Sequence, residues 1–269
     1  VPDPQLAVKN KFSERQYHNG GEIWVLTIDH PPLNLLTRSV FEELESQIGE
    51  FEKDALSKVL IISGKGTRAF SGGVAIEEIM SIDNGEEGVR LGRKAHSFFN
   101  KIESLDKPVI AAINALCMGG GNELALACHF RIASETAKFS QPEISLGFIP
   151  GFGATQRLPR LVGLSTARKM MMTGESIGAS EALRIGLVDV VVGQEEVLKA
   201  AITLAKKLAD KSQLVIRMIQ IATREGLSRP LNEALEIELE CFKKTCESED
   251  MKEGLRAFKE KRKPNFKNR

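Results

Sequence analysis

The run Pro108-Val109-Ile110-Ala111-Ala112-Ile113, followed by Met118-Gly119-Gly120-Gly121-Asn122-Glu123-Leu124, decides how this chain folds. The first stretch is continuously apolar, as expected of a strand covered on both faces. The second sets three glycines immediately ahead of a helical segment. Strand, glycine turn and helix in that order belong to an α/β sheet, with Glu123 in the helix's first turn. The partial positive charge of a helix N-terminus favours the ionised carboxylate there.

Working outward, Ile23-Trp24-Val25-Leu26-Thr27-Ile28 reads as a strand ended by Asp29-His30-Pro31-Pro32, and Val59-Leu60-Ile61-Ile62 as another buried strand. Between them Val40, Leu44, Ile48 and Phe51 recur at helical spacing, with Glu42, Glu43, Glu45 and Glu50 on other faces. Gly64 to Gly73 reads as a glycine-rich loop and about Val89 to Leu105 as a charged helix. This alternation predicts an α/β fold with right-handed crossovers. After Val192 strand signals cease. Val197, Ala201, Leu204 and Leu208 form one helical stripe, and Leu231, Leu235, Leu239 and Phe242 another, with Glu240 and Lys244 at i,i+4 spacing. A boundary near Gly193 divides an α/β core (1–193) from an all-helical end (194–269). That end has few residues for a core of its own and is expected to pack on the first part or on another subunit.

The 269 residues are 42% hydrophobic with a formal net charge of +1. A substantial core can therefore be buried, and neither nucleic acid nor an anionic membrane is expected as partner. No run approaches the roughly 18 apolar residues of a membrane span. Val1 to Asn10 lacks an apolar signal core. Cys117, Cys128, Cys241 and Cys246 form no CxxC pair and no zinc-spaced cluster, which fits reduced thiols. A cytoplasmic location is expected, or an organellar matrix where a transit peptide has been removed.

A second glutamate lies in Gln141-Pro142-Glu143-Ile144-Ser145-Leu146-Gly147-Phe148-Ile149-Pro150-Gly151. Both Glu123 and Glu143 stand in apolar, glycine-flanked surroundings, where a charge is costly unless it has partners or work. For either segment alone, a tight turn followed by a solvated glutamate is an equally open reading. Together they point to water chemistry on a carbonyl compound. Polarising a carbonyl needs donors aimed at a developing oxyanion, and glycine lets backbone N–H groups approach. Phe70-Ser71-Gly72-Gly73-Val74-Ala75-Ile76 and Gly119-Gly120-Gly121 offer such groups, and both lie at the carboxyl edge if the sheet is parallel. No GxGxxG, GxSxG or HExxH motif occurs, which argues against a Rossmann dehydrogenase, a serine hydrolase of that type and a zinc protease.

Several long motifs resemble the crotonase superfamily, the enoyl-CoA hydratase/isomerase family. They are Ala69-Phe70-Ser71-Gly72-Gly73, Lys107 to Asn114, Gly119 to Ala125, Gln141 to Gly151, Gln156-Arg157-Leu158, Thr173-Gly174, Ala179 to Val188 and Phe258 to Arg262. The likeness runs from about Gly21 to Phe266. It implies a spiral core of ββα units followed by a helical C-terminal region. It implies an acyl-CoA substrate, an oxyanion hole built from the N–H groups of Val74 and Gly120, and a catalytic pair Glu123 and Glu143. The resemblance also implies that Gly151 offers an N–H to orient Glu143. Gly72, Ala75, Ile76, Leu33, Leu35, Phe152 and, from the basic tail, Phe266 are the further substrate-binding candidates. No metal or redox cofactor is implied, coenzyme A being part of the substrate, and the family assembles as trimers or hexamers.

Two glutamates at these positions indicate hydration of a 2-enoyl-CoA. The alternatives are an isomerase or hydrolase of the same superfamily, or a non-catalytic relative that binds RNA. The chain departs from the family pattern with Val74 in place of alanine, Ala75 in place of aspartate, Phe152 in place of alanine or tryptophan, and His129 in place of aspartate. The first and third hint at a short or flat acyl group. His129 reads as a satisfied core residue rather than a catalyst, and His18, His30 and His96 have no evident partner.

Overall fold

A computed structural model describes residues 8–269, so the first seven positions of the stretch read as lacking a signal core lie outside the described residues. Two sheets carry the architecture. The larger has seven strands in the order β1 (Val8–Lys9), β2 (Ser13–His18), β3 (Ile23–Ile28), β4 (Val59–Gly64), β6 (Val109–Ile113), β8 (Phe130–Ser134) and β11 (Val190–Val192). Its first three strands pair antiparallel, and from β3 onward every pairing is parallel. The smaller sheet runs β10 (Ile177–Gly178), β9 (Lys138–Ser140), β7 (Leu116–Met118) and β5 (Ala69–Ser71), with the last three parallel.

Successive strands alternate between the sheets. β4, β6 and β8 in the large sheet are each followed by a three-residue strand in the small one, and then by helical structure. This is the repeating ββα arrangement. It corrects the reading of Gly64–Gly73 as pure loop, because β5 lies within it, and inserts β7 between the Val109–Ile113 strand and the helix bearing Glu123. Strands of three residues carry too little alternation to stand out from a glycine-rich background.

The expected stripe of α1 (Arg38–Lys53) is buried through Val40, Leu44, Ile48 and Phe51, and Thr37 caps the helix by accepting from the Val40 N–H at 3.3 Å. Burying each such side chain contributes about 1.5–3 kcal/mol. The same core takes in Ala95, Phe98, Phe99 and Ile102 of α3 (Gly85–Ser104), which follows the short α2 (Ile76–Met80).

The glycine triplet opens α4 (Gly120–Ala127), and α5 (Ala154–Val162), α6 (Leu164–Thr173) and α7 (Ala179–Arg184) follow. Beyond Gly193 come α8 (Val197–Ala209), α9 (Gln213–Gly226), α10 (Leu231–Cys246) and α11 (Glu249–Lys259), with no further strand among the described residues. Helix α8 covers the other face of the large sheet, against Ile23, Val25, Val59, Ile61 and Ile110. Its buried residues are Val197, Ala201, Ala205 and Ala209, while Leu204 and Leu208 are only half-buried. Small side chains let the helix approach the sheet closely, so the stripe is rotated from the one that side-chain size suggested. The stripe on α10 faces solvent: Leu231, Leu235, Leu239 and Phe242 are all exposed. The Glu240–Lys244 pair is absent from the ion pairs of the described residues.

Candidate active site

Two glycine loops meet at the ends of β5 and β7. Gly73 has a φ of 102°, and a Cβ there would lie 2.9 Å from the Met118 carbonyl oxygen and 3.4 Å from the Gly120 nitrogen. A Cβ on Gly121 would come within 2.5 Å of the Ser71 carbonyl oxygen. Only glycine lets these two backbones lie so close. The spacing of the N–H groups is informative. Gly72 donates to Leu33, Gly73 to the Ser71 hydroxyl and Ala75 to Leu36. Among the described residues, the N–H groups of Val74 and Gly120 meet no acceptor. They are also neighbours, since the Val74 nitrogen lies 3.4 Å from where a Cβ on Gly120 would be.

A cavity of about 570 Å³ opens beside these donors. Glu123 and Glu143 both line it, with Gly72, Val74, Ile76, Gly120, Gly151 and Phe152 among the other walls. The structure therefore gathers eight of the twelve expected site residues around one space. Ala75 is buried at the N-terminal end of α2 and lies outside the lining. Leu33 and Leu35 pack over Gly72, with side-chain carbons 3.1 Å and 3.2 Å from its would-be Cβ, but do not reach the cavity. Phe266 lies against Gly254 of α11, remote from the cavity in the single chain.

Glu123 is 2% exposed, and its Oε1 accepts from the Phe152 and Ala154 N–H groups, each at 2.9 Å. The segment that reads as orienting Glu143 through Gly151 holds Glu123, through the N–H groups of Phe152 and Ala154. The reason is topological: the start of α5 packs on α4, so its free N–H groups point at the α4 carboxylate. Burial pushes the Glu123 carboxyl up to about 7; the Ala154 N–H opposes that, the charge of Glu143 adds to it, and the Phe152 N–H and Arg157 oppose it. The first-turn position expected to favour ionisation is observed, but a helix end contributes only about 0.3–1 kcal/mol, and desolvation outweighs it.

Glu143 stands in the 3-10 turn Pro142–Leu146. Its Oε1 lies 2.9 Å from a would-be Cβ on Gly119, whose φ is 51°, and its buried Oε2 has no partner among the described residues. Burial raises its pKa, opposed by its own backbone N–H. Both carboxyl groups thus resist ionisation through burial, and the charge of Glu143 adds to that resistance at Glu123.

Sequence reading missed Ile79, Ile82, Leu91 and Gly92, which wall the cavity from α2, the turn after it and α3. Their partly exposed positions on or between short or charged helices gave no periodic signal. Of the histidines, His129 is structural: its Nδ1 accepts from the Val109 N–H at 2.9 Å, and burial lowers its pKa. His30 Nδ1 lies 2.9 Å from the Leu35 carbonyl oxygen, and His96 meets the Gly151 carbonyl oxygen at 2.8 Å. All four cysteines are free.

A family model described as enoyl-CoA hydratase/isomerase matches residues 18–269. The chain is 41% identical to the short-chain-enoyl-CoA hydratase of Clostridium acetobutylicum, over 93% of its own length and 96% of the relative's. It is 42% identical to the crotonyl-CoA hydratase of Syntrophomonas wolfei, over 97% and 99% of the two chains. The crystal structure of enoyl-CoA hydratase from Bacillus anthracis superposes with a TM-score of 0.91 at 34% identity, covering 96% of this chain and all of that one. With matches of this length and a shared fold, the chain belongs to the enoyl-CoA hydratase/isomerase family.

Proposed function

We propose that this protein is an enoyl-CoA hydratase, adding water across the C2=C3 double bond of a 2-enoyl-CoA to give a 3-hydroxyacyl-CoA. The observation that carries this is the joint presence, around one cavity, of two buried carboxyl groups and two neighbouring N–H groups without protein acceptors. The thioester oxygen would accept from Val74 and Gly120, which stabilise the enolate as charge develops. Glu123, pinned through one oxygen, takes a proton from water with the other as the water oxygen bonds to C3. Glu143 delivers its proton to C2, and in dehydration removes it. One turn leaves the proton on Glu123 rather than Glu143, and exchange with solvent resets the pair. A base titrating near 7 is well matched to that task at neutral pH. The chemistry as written uses no metal or redox cofactor.

The relatives' names favour a short acyl group, and Phe152, stacked edge-on against Phe41 at 6.0 Å between ring centres, supports that by closing one wall. The exposed stripe on α10 supports self-association, as a trimer or hexamer, through the helical end after Gly193. The test is purified protein with crotonyl-CoA, followed at the enoyl-thioester absorbance. Rapid loss of absorbance with 3-hydroxybutyryl-CoA as product is expected. A folded protein that binds the substrate and leaves the band unchanged, or releases free CoA, would overturn the reading in favour of an isomerase or a hydrolase.

A further inference from the structure

One contact at the cavity edge joins a histidine to Glu123 through a single peptide group. The His96 ring Nε2 lies 2.8 Å from the Gly151 carbonyl oxygen. A carbonyl oxygen only accepts, so Nε2 carries the hydrogen. The N–H of that same peptide belongs to Phe152, and it donates to Glu123 Oε1 at 2.9 Å. His96 and Gly92 are one turn apart on α3 and share a face. The Gly151 carbonyl lies against this face, 3.5 Å from where a Cβ on Gly92 would be. A second tie between α3 and this segment comes from Arg157, whose Nη2 donates to Asn100 Oδ1 at 2.6 Å and to Glu103 Oε2 at 2.8 Å.

We propose that His96 is a positioning residue for Glu123: by donating to the Gly151 carbonyl it fixes the 151–152 peptide and strengthens the Phe152 N–H as a donor to the carboxylate. Hydrogen bonds in series polarise one another, and a bond on the carbonyl end of a peptide sharpens the donor at its nitrogen end. The inference deepens the hydratase reading, because it assigns a residue to the upkeep of the water-activating group. It needs only the contact chain and not the reaction, so the two can fail separately.

Two variants and two readouts test it. His96→Ala removes the donor, and His96→Gln keeps an N–H that can reach the same carbonyl. The first readout is a carbon-13 NMR titration of the Glu123 carboxyl, assigned by its loss in Glu123→Gln. Glu143 and Arg157, whose charges also act on Glu123, are left intact throughout. In His96→Ala the Glu123 titration is expected to move up by about half a pH unit as its donor weakens, and in His96→Gln to return toward wild type. The second readout is crotonyl-CoA hydration, where His96→Ala should lower kcat about three- to tenfold with KM within about twofold, and His96→Gln should recover most of it. An unmoved Glu123 titration in His96→Ala overturns the proposal whatever the kinetics. So does equal impairment of both variants, which would mark a packing role. If the wild type hydrates nothing while the titration shifts as expected, the hydratase reading fails and the positioning role stands.

Discussion

Helices α4 and α10 contrast in what their apolar residues face. All eight residues of α4 are buried, Gly120, Gly121 and the Glu123 carboxyl included, although only Leu124 and Leu126 are large and apolar. In α10 only Cys241 is buried, and Leu231 is 75% exposed despite an apolar repeat that looks more obviously core-like. The difference teaches that in this molecule a stripe of large apolar side chains does not by itself mark a helix face as interior to the single chain. α4 is buried because β5, β7 and α5 close around it, and glycine permits that approach. α10 carries large side chains on a face the single chain leaves uncovered.

The largest test of that contrast is catalytic. Glu143→Gln keeps size and removes the acid, and steady-state kinetics with crotonyl-CoA should show kcat reduced by about a thousandfold or more, with binding of a saturated acyl-CoA retained. Glu123→Gln should behave alike. Near wild-type turnover in Glu123→Gln would show that burial of α4 serves packing alone, and in Glu143→Gln that the acid of the 3-10 turn is not needed.

Next in size is the glycine approach itself. Gly121→Val forces a side chain against the Ser71 carbonyl at a point with no room, where a Cβ alone would lie at 2.5 Å. Urea unfolding should register a loss of about 3 kcal/mol or more. A change below about 1 kcal/mol would show that the two loops can part freely.

Glu123 also makes stability depend on pH. Its carboxyl is raised from an ordinary 4.5 to about 7 in the folded chain. The folded state then holds that proton more tightly, so the group favours folding fully below about pH 4.5 and loses that contribution as pH rises through 7. The difference amounts to about 3 kcal/mol at most. Glu123→Gln should be more stable than wild type at pH 8 by up to about that much, with the gain vanishing toward pH 4. Parallel denaturation curves at both pH values would show that the carboxyl is solvated.

The smallest expected effect on a single chain lies in α10. Leu235→Ser and Leu239→Ser should change single-chain unfolding by under about 0.5 kcal/mol each, because both side chains are exposed. The same substitutions should lower the mass observed in sedimentation if this face joins copies of the chain. Unchanged sedimentation would leave α10 a solvated helix and erase the functional half of the contrast.

Much of this was legible in the residues. The Ile23–Ile28, Val59–Ile62 and Val109–Ile113 strands announce themselves as continuous apolar runs, and α1 by its stripe. Both glutamates and both donor loops stand out because charge and glycine are unusual in apolar surroundings. Other features were silent. The three-residue strands β5 and β7 have too few positions for a pattern. The residues holding Glu123 act through backbone N–H groups, which any side chain can accompany, so Phe152 and Ala154 carry no mark of that role. The position of Glu123 in its helix is visible locally and favours ionisation, whereas the desolvation that raises its pKa depends on what closes over it.

By itself the amino-acid order determined the alternation of strand and helix, the sites where backbones can touch, and which acids are available, since these follow from local propensity, periodicity and side-chain size. Only the tertiary structure decided which peptide holds which carboxylate, how strongly each resists ionisation, and which apolar stripe is covered. Those outcomes depend on segments distant in sequence, where α5 meets α4 and α3 meets the Gly151 carbonyl, and no local pattern encodes that meeting.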